Sequence, residues 1–198
     1  LLVGTGILAS RLSGLVRTSV LGHYLGVGDV ADAWMAAFRI PNILQNLLGE
    51  GVRSAWFMPV YANRLAHGEG GEARGVANAV AGILALVTSV FVLAGVLAAP
   101  LLVDLITPGF DGAKRALTIQ LVQILFPGAG LLVLSAWCLG ILNSHRRFFL
   151  SYVAPVVWNA AILATLLIYG GRTGREALVV AVAWGSVADS LLQFAIQL

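Results

Sequence analysis

The chain has 198 residues, 59% of them hydrophobic and 11% charged, with a formal net charge of +3 and a mean hydropathy of +0.92. A soluble domain carries about 25% charged residues, so this composition cannot cover a water-facing surface, and its thinly spread positive charge excludes a nucleic-acid patch. The apolar runs are long and lack strand alternation, so the spanning elements are expected to be helices, because lipid offers the backbone no hydrogen-bond partner.

Six segments reach the roughly 20 mostly apolar residues that a spanning helix needs. In chain order they are Leu1–Leu25, Val30–Tyr61, Val76–Ile106, Ala116–Leu142, Leu150–Tyr169 and Ala177–Leu198. Pro41 should break and kink the second. Gly- and Pro-punctuated polar connections such as "TPGFDGAKR" and "GGRTGRE" join them. The expectation is all-α: one helical bundle over residues 1–198, within a multi-pass membrane protein. The chain opens on Leu1 and its last residues still read as helix, so a longer protein is expected; the first segment has no cleavage-site pattern of a signal peptide.

Loop charge does not set the orientation. Arg64, Arg74, Arg146 and Arg147 fall on one side, and Lys114, Arg115, Arg172 and Arg175 on the other. Cys138 is the single cysteine, so no internal disulfide is possible. His23, His67 and His145 show no metal-ligand spacing, and neither a metal nor a cofactor is expected.

The unusual chemistry lies in the first two segments. A charge at mid-membrane costs at least ~2.5–3.5 kcal/mol and marks function by default. The first segment holds Arg11 and Arg17, which sit about 120° apart on a helix and suit two flanks of one wide cavity. In the second, Asp32, Arg39, Asn46 and Arg53 recur every seven residues, a row that drifts only about 20° per heptad. Asn42 and Glu50 extend that face. The plainer reading is that Arg11 or Arg53 snorkels and that Glu50 and Arg53 neutralise each other at i, i+3. The excess of arginine over acid favours a water-filled cavity for an anion, since the planar guanidinium suits phosphate oxygens.

Other polar residues read as structural. Asp189, Gln193 and Gln197 form a row on the last segment and are expected to face a neighbouring helix. Gln120, Gln123, Trp158 and Asn159 read as interhelical contacts. Trp34, Trp56 and Trp137 read as interface anchors, and Asp104 and Asp111 as solvated.

"SRLSGLVR" at Ser10–Arg17, "ADAWMAAFRIPN" at Ala31–Asn42 and "EGVRSAWFMPVY" at Glu50–Tyr61 resemble the MurJ (MviN) family of bacterial lipid II flippases, in the MOP exporter superfamily. Weaker echoes continue in "APLLVDLITPGF", "LFP", "GILNSHRRF" and "APVVWN". The resemblance implies the N-terminal six-helix lobe of a MATE-like transporter with two such lobes, working by alternating access in the bacterial cytoplasmic membrane with its N-terminus in the cytoplasm. It implies a central cavity lined by Ser10, Arg11, Arg17, Asp32, Arg39, Asn42, Glu50 and Arg53, with arginines on the substrate diphosphate. The implied partners are lipid II, membrane lipids, the second lobe and cell-wall synthesis proteins. Two positions depart from the family pattern. Thr18 stands where many members have an acid, and Gln45 where many have an arginine, while Arg53 replaces a usually apolar residue, a pattern that implies a positive charge either displaced toward the cytoplasmic side or weakened. The alternatives are an exporter of undecaprenyl-linked oligosaccharide or drugs, a membrane enzyme acting on prenyl diphosphates, which would want clustered acids for magnesium, and an inactive scaffold of cell-wall synthesis.

Overall fold

The computed structural model of the protein describes residues 2–54, 70–144 and 149–197. These residues form seven helices: α1 Leu2–Leu25, α2 Asp29–Ser54, α3 Gly70–Leu97, α4 Ala99–Ile106, α5 Gly112–Ser144, α6 Phe149–Tyr169 and α7 Arg175–Gln197. No strand occurs among the described residues.

Local chemistry sets the boundaries. α1 ends where Gly26 takes a left-handed φ of 67°, with its N–H donating to the Gly22 carbonyl. Asp29 and Asp32 then occupy the first turn of α2, where carboxylates meet the positive end of the helix dipole. Pro41 lies inside α2, which continues through it as one helix rather than breaking. A proline removes a single ladder bond, and α2 keeps its helical path by packing along α5.

The expected third span, Val76–Ile106, is divided. α3 stops at Leu97 and α4 restarts at Ala99, with Pro100 in its first turn. Pro100 has no N–H to give the carbonyl of Val96, four residues back. The side chain of Gln123 on α5 donates to that carbonyl instead, at 3.4 Å. This is the interhelical role expected of Gln123, with a backbone oxygen as its partner.

α5 is the axis of the bundle. α2, α7 and α3 pack against it, α1 packs on α6, and α6 on α7. Its 33 residues span about 50 Å at 1.5 Å per residue, well beyond a hydrocarbon core of about 30 Å. Leu121, Val122 and Val133 of α5 are fully buried, as are Ala33 and Ala37 of α2, Ile162 and Leu166 of α6, and Val179 and Val182 of α7. Large apolar residues such as Leu15, Leu47, Leu86 and Leu101 remain exposed, as expected of helices solvated by lipid. Among the described residues, three helical stretches are long and apolar enough to cross a membrane by composition alone: residues 75–97, α5 and α7. α2 is not among them; it carries Asp29, Asp32, Arg39, Glu50 and Arg53 as well as Asn42, Gln45 and Asn46.

Two sequence expectations need correction here. Trp34 is 7% exposed and stacks 5.6 Å from Phe38, so it belongs to the core rather than to a membrane interface. Asp104 is held by Arg115 through two hydrogen bonds of 2.6 and 2.9 Å rather than by solvent alone. Trp56 lies outside the described residues.

Candidate functional site

A cavity of about 410 Å³ opens where α1, α2, α5, α6 and α7 converge. That volume lies in the usual range for ligand sites. Its cationic wall is Arg17. The guanidinium carbon sits 4.7 Å from the centroid of the Trp158 ring, and the Nε is buried without a hydrogen-bond partner among the described residues. Trp158 is 5.7 Å from Phe38, which stacks in turn on Trp34. An aromatic ladder thus ties α2 to α6 and holds the arginine's flat face. The rest of its fork is left for the cavity. A guanidinium over an indole gains about 0.5–2 kcal/mol, more as water is excluded.

Asn159, next to Trp158, fixes the α1–α6 seam: its Nδ2 donates to Ser13 Oγ at 2.8 Å. The interhelical reading of Asn159 therefore holds, and Trp158 adds an aromatic wall to the cavity.

Two polar walls flank an apolar one, to which α5 contributes Leu125, Ala129, Leu132 and Leu139. On α2, Asn42, Gln45 and Asn46 line the cavity one turn after Pro41. On α7, Ser186, Ser190 and Gln193 face them. Ser186 donates to Val182 O at 3.0 Å, and Ser190 to Ser186 O at 2.8 Å. Gln193 Nε2 donates to Ser135 Oγ at 2.7 Å, and that hydroxyl donates to Gln197 Oε1 at 2.6 Å. Gln193 and Gln197 thus face a neighbouring helix, as their spacing suggests. α7 can approach α5 closely because Gly128 lies there: a Cβ on it would stand 3.3 Å from a Val187 methyl and 3.5 Å from Ser190 Oγ.

The structure brings together only part of the residue set expected from the sequence. Arg17 and Asn42 line the cavity. Arg11 and Arg39 are exposed and lie off its wall. Asp32 is at the far end of α2, where Lys114 holds it at 2.6 Å and Asp29 at 3.2 Å. Ser10, Glu50 and Arg53 have side chains outside the described residues. The row at seven-residue intervals on α2 keeps one angular face, but from Asp32 to Arg53 it runs about 32 Å along the axis, and of its described side chains the cavity touches Asn46. Gln45, which stands where the family pattern has an arginine, faces the cavity. Among the described residues Arg17 is therefore the cavity's one guanidinium. Trp158, Ser186 and Ser190 are the site residues that sequence reasoning missed. Aromatic and hydroxyl residues on apolar helices carry no charge to draw attention, and only the meeting of α1, α6 and α7 reveals them.

The described residues form a bundle of apolar helices around a cavity that holds the Arg17 guanidinium. Solved structures share the fold. "Lipid II flippase MurJ, inward closed conformation" superposes with a TM-score of 0.82 at 24% identity, over 98% of this chain and 40% of that one. A MOP superfamily transporter from Pyrococcus furiosus, described as having a binding pocket of reverse polarity, superposes at 0.75 and 18% identity, over 98% of this chain and 42% of that one.

The sequence model of the family described as "Lipid II flippase MurJ" matches residues 21–198, and the chain belongs to that family. It is 38% identical to the probable lipid II flippase MurJ of Rhizobium meliloti (strain 1021), over 98% of this chain and 37% of the relative. It is 31% identical to the lipid II flippase MurJ of Burkholderia cenocepacia, over 96% and 37% respectively. The chain thus spans a little over a third of the length of these curated relatives.

Proposed function

We propose that this chain is the N-terminal lobe of a flippase that moves lipid II, a polyprenyl-diphosphate-linked muropeptide, across the bacterial cytoplasmic membrane by alternating access. The observation that carries the reading is the Arg17 guanidinium, half-buried against Trp158 in a cavity with polar side chains on its α2 and α7 walls. Such a group is costly in a membrane unless it meets an anion. Charge-assisted hydrogen bonds from a planar fork to phosphate oxygens are short and about twice as strong as neutral ones. Arg17 anchors the diphosphate, and Asn42, Gln45 and Asn46 supply neutral hydrogen bonds around it.

No covalent step is required of the lobe. The headgroup occupies the polar cavity, and the lipid tail stays in the bilayer between this lobe and the second one. Arg11, Arg39 and Arg53 are auxiliary positive charges along the path, and Ser10 and Glu50 complete the family's set. The N-terminus is cytoplasmic in this reading. The test is complementation of a flippase-depleted bacterium by the full-length gene carrying Arg17→Ala, with membrane abundance measured beside growth. Normal abundance with lost growth supports the reading. Normal abundance with full growth overturns it.

A further inference from the structure

Asp189, on α7, is the buried ionisable group that the proposed transport reading leaves unused. It is 3% exposed, and both its carboxylate oxygens are buried without a hydrogen-bond partner among the described residues. One turn earlier on the same face, Gly185 presses on α6: a Cβ there would stand 2.7 Å from Thr165 Oγ1. The next residue, Ser190, lies against Gly128 of α5. The carboxyl is therefore enclosed between α6 and α5, beside the cavity.

Its neighbours offer it lone pairs rather than hydrogens. The Ser186 and Ser190 hydroxyls, both buried, donate to backbone carbonyls of their own helix. Gln193 directs its amide nitrogen to Ser135. No described cation reaches it within hydrogen-bonding distance. Lys114 and Arg115, at the start of α5, pair with Asp29, Asp32 and Asp104. Arg17, the cation in the adjoining cavity, stacks on Trp158. On α7 itself Arg175 and Glu176 are exposed at its first turn. Cys138 of α5 is buried, Tyr169 ends α6, and Arg11 and Arg39 are exposed.

An ionised carboxylate without partners costs several kcal/mol in such a place even after the protein relaxes. A group so placed neutralises instead. Among the described residues no group of three or more acids, histidines or cysteines is placed to hold a metal ion. A proton needs only one oxygen.

We propose that Asp189 is a proton-binding site of this lobe, loaded while α7 is packed against α5 and α6 and unloaded when water reaches the carboxyl. A hydronium ion gives its proton to one carboxylate oxygen. The product is a neutral carboxylic acid and a water molecule, and the site's charge goes from −1 to 0. Unloading reverses the step. The proposal concerns the carboxyl alone and does not rest on what the cavity carries.

The test is pH-difference infrared spectroscopy of the full-length protein in lipid nanodiscs. The wild type is expected to show a protonated-carboxyl C=O band that persists at a pH where exposed aspartates, with a pKa of about 3.9, are ionised. Asp189→Asn, which mimics the neutral acid, should lose that band and keep its membrane abundance. Asp189→Glu should keep a band with a displaced frequency and midpoint, and it serves if the asparagine variant does not accumulate. A band unchanged in either variant, or no such band in the wild type, overturns the proposal.

Discussion

Arg17 of α1 lies 4.7 Å from the ring centroid of Trp158 on α6. The cation is thereby fixed at the cavity wall by an aromatic face, and among the described residues no carboxylate pairs with it. The distinction matters because an acid partner would neutralise the charge that the cavity presents, whereas an indole leaves it intact.

Arg17→Lys keeps the charge and removes the fork. We expect it to complement a flippase-depleted strain poorly, while membrane abundance stays near wild type. The loss of a hydrogen bond to a charged group, about 1.5–3 kcal/mol, corresponds to roughly a ten- to hundredfold fall in transport. Full complementation by the lysine variant would show that charge alone suffices.

Trp158→Ala should release the guanidinium and open the aromatic ladder. Trp158→Phe retains a ring face and should sit between the alanine variant and wild type. The measurements are the thermal midpoint of the full-length protein in detergent and complementation. An alanine variant equal to wild type in both would remove the cation–π contact from the account.

Lys114→Ala tests the far end of α2. Its bonds to Asp29 and Asp32 are partly exposed, and exposed pairs contribute about 0–1 kcal/mol. We expect a small loss of thermal stability and near-normal complementation, matched by Asp32→Asn. If Asp32→Asn is inactive while Lys114→Ala is active, Asp32 acts on the substrate path rather than through the lysine.

Gly185→Val should destabilise the α6–α7 seam, because its Cβ would meet Thr165 Oγ1 at 2.7 Å and overpacking costs about 1–3 kcal/mol. Gly22→Ala in α1 meets nothing within 4 Å and should be tolerated. Membrane abundance of the two variants side by side decides the point. Equal abundance would mean that the seam relaxes freely.

The sequence alone determined the class of protein. Lipid leaves the backbone no partner but itself, so 59% hydrophobic residues in long runs require helices, and the scarce charges among them stand out as candidates for function. Arg17 and Asn42 were legible for that reason. The division of Val76–Ile106 into α3 and α4 was not legible, because one apolar run hid the break that Pro100 introduces. Tertiary structure alone decided which polar residues meet. Trp158, Ser186 and Ser190 join Arg17 at one cavity, while Asp32, on the same angular face as Asn46, is drawn to Lys114 at the bundle's end. Periodicity gives the angle of a side chain about its own helix, and burial depends on how far along the axis a neighbour covers it. The same physics separates Asp189 from Asp104: both are single acids in apolar helices, yet packing encloses the first without a partner and leaves the second beside Arg115.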